Sequence, residues 1–210
     1  MSWRNSPARL WGVLASSVTA IGLVLALFTP TLANAATAQV SKPDASLTAT
    51  WWEKIVKISG DSLGRCDVGT GKILFLAGTA GGSTERDCMT DKKVFLVPLI
   101  NVECSTVEGN GTTFGALSAC AKGFADDFTD LTLVVDGQSF DGFRVQAKGQ
   151  FTPVAGNSFG IPPTNNSKFA ADGYWALITL TPGEHTLTFG GSYPPFGFTT
   201  EVTYNLTVQN

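Results

Sequence analysis

Four cysteines, Cys66, Cys88, Cys104 and Cys120, all lie beyond a leader-like N-terminus, and the 210-residue chain has no others. This constrains the fold more than any other feature. An even cysteine count in an exported chain reads as two disulfides. Three pairings are open. Cys66–Cys88 and Cys104–Cys120 are favoured, because each clips one local excursion. Loops of that size each contribute about 3 kcal/mol by restricting the unfolded chain. The rival is a zinc site. No C-x-x-C spacing occurs and the single histidine is remote in sequence, which argues against it.

Export is read from the first 35 residues. Arg4 and Arg9 give a positive start without acids, Leu10–Phe28 is mostly apolar, and Ala33-Asn34-Ala35 is a small-x-small cleavage site. Residues 1–35 are therefore expected to be a signal peptide. The alternative is an uncleaved membrane anchor, since the apolar run is long for a signal; Thr29-Pro30 and the cleavage site favour removal. Without a twin-Arg pair, Sec-type export is the simpler reading. The net charge is −3, and loss of a leader carrying two arginines and no acid makes it more negative. That balance excludes a general nucleic-acid binder, which needs a basic face. No later run has the length of a membrane span. The mature chain is expected to be soluble, secreted or periplasmic, with no membrane contact after cleavage.

Residues 36–49 are small and polar, contain Pro43, and read as a flexible lead-in to a single domain over 50–210. Trp51, Trp52, Ile55 and Ile58 share one helical face, so a short amphipathic helix is expected there. Adjacent tryptophans suit a sugar-stacking platform; the blander reading is a helix that plugs one side of a sheet. Ile73–Ala77 and Val94–Ile100 are short apolar runs bounded by turn residues and read as buried strands, with Pro98 marking an edge or a bulge. Gly78–Lys93 between them reads as a flexible connection. Its Gly81-Gly82-Ser83-Thr84 lacks the spacing and the lysine of a phosphate-binding loop. Arg86 and Asp87 form either a ligand clamp or a solvated pair.

Phe114, Leu117, Ala121, Phe124 and Phe128 recur at helical spacing, which predicts a helix over Thr113–Asp126 tied by Cys120 to Cys104. Asp126, Asp127 and Asp130 follow as an acidic knot, read as a calcium site or as a solvated helix end. From Leu131 onward the pattern is β. Leu131–Val135 meets Asp136-Gly137, a type I′ turn signal, then Ser139–Phe143 and Arg144–Ala147. Phe151–Ser167 is a long loop, and Gly173–Leu180 and His185–Phe189 flank the turn Thr181–Glu184. Gly190–Gly197 is a second turn. Val202, Tyr204, Leu206 and Val208 then alternate with polar residues along the clearest strand of the chain. The expected fold is mainly β: a single-domain antiparallel β-sandwich, jelly-roll or immunoglobulin-like, with one or two short helices packed on it.

Trp51-Trp52, Cys66, Phe75-Leu76-Ala77-Gly78-Thr79, Arg86-x-Cys88, Phe95-x-x-Pro98-Leu99-x-Asn101-x-Glu103-Cys104, Ala171-Asp172-Gly173-Tyr174-Trp175 and Pro182-Gly183-Glu184-His185-Thr186 are spread over most of the mature chain. Together they resemble a group of exported microbial proteins of uncharacterised function. The resemblance implies a single secreted domain and carries over no activity, cofactor or catalytic residue. The chain departs from the group's pattern at Val97 and at Lys92-Lys93.

Triad chemistry needs a histidine base, and the only one, His185, reads as a surface strand residue after a tight turn. No G-x-S-x-G, no H-E-x-x-H and no cofactor-binding motif occurs. Paired acids remain, with Glu103, Glu108, Asp126, Asp127, Asp172 and Glu201 as candidates, because glycoside hydrolysis needs two carboxylates at a set separation. The function expected is a non-catalytic binding or surface-interaction module for a glycan or an extracellular protein, with Trp51, Trp52 and Arg86 as candidate ligand contacts. The alternative is an exported, glycosidase-like hydrolase using paired carboxylates.

Overall fold

Strict alternation organises the last strand. Val202, Tyr204, Leu206 and Val208 point inward, and the residues between them reach solvent wholly or in part. The same rule, relaxed where both faces are covered, runs through the other strands of a computed structural model that describes residues 38–69 and 71–210. These belong to one compact unit, Ala36–Asn210. The expected signal peptide, residues 1–35, lies outside the described residues.

In chain order the elements are β1 (Gln39–Ser41), α1 (Ala45–Ile55), β2 (Ile73–Phe75), β3 (Gly82–Thr90), β4 (Val94–Ser105) and α2 (Phe114–Ala125). Then come β5 (Thr129–Val135), β6 (Gln138–Ser139), β7 (Phe143–Phe151), β8 (Ser167–Thr179), β9 (Gly183–Tyr193) and β10 (Phe198–Val208). The first sheet has the order β1-β8-β4-β2, with β7 also paired to β8; the second has the order β3-β10-β9-β5-β6. The result is a mainly β, two-sheet sandwich carrying two short helices. Most ladders are antiparallel. Two edge strands pair in parallel, β2 with β4 and β3 with β10.

Three apolar layers hold these elements. Phe95, Val97, Ala176 and Ile178 of the first sheet meet Phe189, Tyr204 and Leu206 of the second. On the far face of the first sheet, Trp51, Trp52 and Ile55 of α1 pack on Leu96, Phe169, Ala171 and Trp175. Next to the second sheet, Leu117 and Ala121 of α2 cover Cys104 and Ala170. Thr113 caps α2 by accepting a hydrogen bond from the Ala116 N–H at 3.2 Å. The Asp136-Gly137 turn has positive φ at both residues, 51° and 80°, as a type I′ hairpin requires.

Both favoured cysteine pairs are disulfides, with Cα–Cα distances of 5.8 Å for Cys66–Cys88 and 6.1 Å for Cys104–Cys120. That displaces the zinc alternative. Among the described residues, no helix is long and apolar enough to cross a membrane.

Two expectations are corrected. Residues 36–49, read as a flexible lead-in, contain β1 and the first turn of α1. Gln39–Ser41 pairs with Leu177–Thr179, and Thr48 and Ala49 are buried. Gly78–Lys93, read as a flexible connection, contains the nine-residue β3. Only Cys88 of that strand is buried, so it carries almost no apolar signal; its parallel ladder with β10 and the disulfide hold it in place.

Candidate functional site

β4 has twelve residues and β2 has three. The mismatch creates the site. β2 pairs with β4 only over Val94–Leu96, after which the chain crosses to the second sheet as β3. Beyond that point the outer edge of β4 has no strand beside it among the described residues. A pocket of about 310 Å³ lies along this edge. Trp51 and Trp52 of α1 and Phe159 of the 152–166 loop form one wall, and Thr79 and Phe198 lie on the other side.

The bulge anticipated at Pro98 decides which side chains face the pocket. The β4–β8 register shifts between Pro98 and Ile100, leaving Leu99 as the extra residue. A shift of one residue exchanges the two faces of a strand. Upstream, Leu96 packs with α1. Downstream, Asn101, Glu103 and Ser105 stand opposite Gly173, Ala171 and Phe169, on the α1 face, while Cys104 goes to α2. Gly173 permits this approach: a Cβ there would lie 2.5 Å from the Asn101 Cα and from the Ile100 carbonyl oxygen.

Two acids line the pocket, Glu103 and Glu108. Glu108 is held by the Ser105 hydroxyl, which donates to its Oε2 at 2.7 Å. Glu103 Oε2 is enclosed without a hydrogen-bond partner, as is Nε1 of Trp52. Burial, reinforced by a hydrogen bond and like-charge repulsion from Glu108, pushes the Glu103 carboxyl up to about 10, although Ser105 pulls it the other way. Glu103 is therefore a neutral acid at pH 7. Among the described residues, these are the only ionisable side chains lining the pocket.

Trp51 and Trp52 are only 2% and 3% exposed. They meet edge to face at 5.1 Å, and Trp51 Nε1 donates to the Leu76 carbonyl at 2.7 Å. They therefore do not make an open sugar-stacking platform on the surface, but the inner wall of a pocket. Arg86 does not pair with Asp87, and its hydrogen bonds are made within the fold. Its guanidinium donates to the carbonyls of Ala77 at 2.8 Å and Gly78 at 2.9 Å and to the Tyr204 hydroxyl at 2.6 Å, and it lies over the Tyr204 ring. It ties the crossing from β2 to β3 onto β10. Burial raises the Tyr204 phenol above its ordinary value, with Arg86 opposing.

His185 is 9% exposed, not a surface residue. Its Nδ1 lies 2.7 Å from Asp136 Oδ2 and its Nε2 lies 2.9 Å from the Thr181 carbonyl, so it staples one hairpin turn to the next. The acidic knot does not converge. Asp126 pairs with Lys122 and Arg144, which hold its carboxyl below the usual range, and Asp127 and Asp130 are exposed. No group of three or more metal-ligating side chains is gathered among the described residues. Asp172 is buried in a bidentate pair with Arg144, at 2.9 and 2.8 Å, and also accepts from Gln146. Glu201 is exposed.

Of six candidate acids, the fold thus brings together Glu103 and Glu108 at a pocket. Sequence reasoning did not single out Phe159 or Phe198, and it named Asn101 only as a position of the resemblance motif. The usable signal was the polar alternation Asn101-x-Glu103-x-Ser105, which follows an apolar run interrupted by Pro98. No protein-family model matches the chain, and comparisons with curated proteins and with solved structures give no significant match.

Proposed function

We propose that this chain works outside the cytosol as a non-catalytic binding module, and that its ligand enters the pocket at the open edge of β4. The observation that carries the reading is the pocket itself: aromatic walls, a free strand edge and unmet polar groups meet in one concavity. Extracytoplasmic location draws on the two disulfides and on the signal-like leader. Nile red, a neutral apolar dye, tests the pocket. It is expected to bind saturably with a rise in emission. Ala80→Trp, which changes an exposed residue at the pocket's rim, is expected to abolish that binding while circular dichroism stays unchanged. Dye binding indifferent to Ala80→Trp would remove the reading.

A second reading, an exported hydrolase, draws on the Glu103–Glu108 pair. Glycoside hydrolases keep their two acids about 5–9.5 Å apart, to leave room for substrate or water. Here Glu108 is engaged by the Ser105 hydroxyl and Glu103 is an enclosed neutral acid, so neither stands as a free carboxylate base or nucleophile, and binding is the preferred function. Turnover of any 4-nitrophenyl glycoside or ester by the mature chain, lost in Glu103→Gln, would reverse that preference.

A further inference from the structure

The pocket's chemistry narrows its ligand. Its ionisable lining is acidic, Glu103 and Glu108, with no base among the described lining residues. An acidic lining without a base disfavours anions, and an ammonium group is favoured both by the acids and by the flanking aromatic residues. Trp52 is 3% exposed and its enclosed Nε1–H has no acceptor, a donor that a neutral ligand oxygen would satisfy. The edge of β4 beyond Leu96 offers main-chain groups to an extended segment. At about 310 Å³ the pocket lies at the small end of ligand sites, room for a terminal residue and not for a folded partner.

Resting on the pocket reading above, we propose that the site captures the free amino terminus of a peptide whose first side chain is apolar. The α-ammonium sits against Glu103 and Glu108. The first side chain fills the space beside Trp51, Trp52 and Phe159. The first carbonyl oxygen accepts from Trp52 Nε1, and the following residues run along β4. Binding an ammonium favours the ionised form of Glu103, which is neutral in the empty pocket. Peptide binding near pH 7 is therefore expected to release protons, and Glu108 is the only other titratable side chain on the described lining.

The test is isothermal titration of the purified mature chain with Phe-Gly-amide and with N-acetyl-Phe-Gly-amide. The free-amine peptide is expected to bind at least tenfold more tightly, with proton release visible as a dependence of the heat on buffer ionisation. Glu103→Gln is expected to erase the preference for the free amine. Trp52→Phe, which keeps an aromatic wall and removes the N–H, is expected to weaken the peptide several-fold while leaving 2-phenylethylamine unaffected. Equal binding of the two peptides, or undiminished preference in Glu103→Gln, overturns the proposal; if Nile red still binds and is still blocked by Ala80→Trp, the pocket reading survives that failure. Phenylethylamine binding as tightly as Phe-Gly-amide overturns the peptide part. Failure of dye and peptides alike overturns both readings.

Discussion

A buried acid, Asp172, and a half-buried one, Glu103, stand beside each other on β8 and β4, on opposite faces of the first sheet. Asp172 lies opposite Val102 and points toward α2; Glu103 is the next residue along β4 and points toward α1. Asp172 is 1% exposed and fully engaged, by Arg144 through two hydrogen bonds and by Gln146 through a third. Arg144 in turn is held above its ordinary value by that carboxylate. Glu103 has no base near it and keeps its proton instead. The two faces solve the same desolvation problem differently, one with a counter-ion and the other with protonation. The difference separates a structural carboxylate from one with capacity left for a ligand.

The largest effect expected from breaking this comparison is at the paired acid. Arg144→Met leaves Asp172 buried and uncompensated, and is expected to cost about 3–5 kcal/mol in urea unfolding. Glu103→Gln, at the acid that already carries its proton, is expected to be neutral or mildly stabilising in the same assay. Equal losses at the two sites would erase the distinction. Next in size is the Cys104→Ala/Cys120→Ala double variant, which frees α2 from the strand beside Asp172 and is expected to cost about 3 kcal/mol. Gly173→Ala forces β8 away from Asn101 on the Glu103 face and is expected to cost about 1–3 kcal/mol, with loss of Nile red binding.

The comparison is sharpened further by a slope with pH. Glu103 is protonated in the folded chain up to about 10 and ionises in the ordinary carboxylate range once unfolded. Between those limits the native state binds more protons, so stability is present at low pH and declines as pH rises from about 5 toward 10. Melting temperature measured across that window is expected to fall further in the wild type than in Glu103→Gln. Parallel curves would show that Glu103 is not the neutral partner in the comparison.

Much of this was legible in the chain because the signals are local. The alternation of β10, the Thr113 cap of α2, the Asp136-Gly137 turn and the short cysteine spacings each involve residues that meet within one element or one loop. β3 was not legible, because Gly-Ser-Thr-Glu-Arg-Asp-Cys-Met-Thr buries one side chain and owes its place to β10. His185 was misread for the same kind of reason. Its burial depends on Asp136, 49 positions away.

By itself the amino-acid order determined the period of β10, the apolar runs of the central strands, a preference among three cysteine pairings and the presence of six unassigned acids. Only tertiary structure decided which acids matter. One extra residue at Leu99 turns Glu103 toward α1, and the shortness of β2 leaves the edge beside it uncovered. Register and strand length across a sheet are set by distant partners, and a one-residue change in either exchanges a strand's buried and open faces.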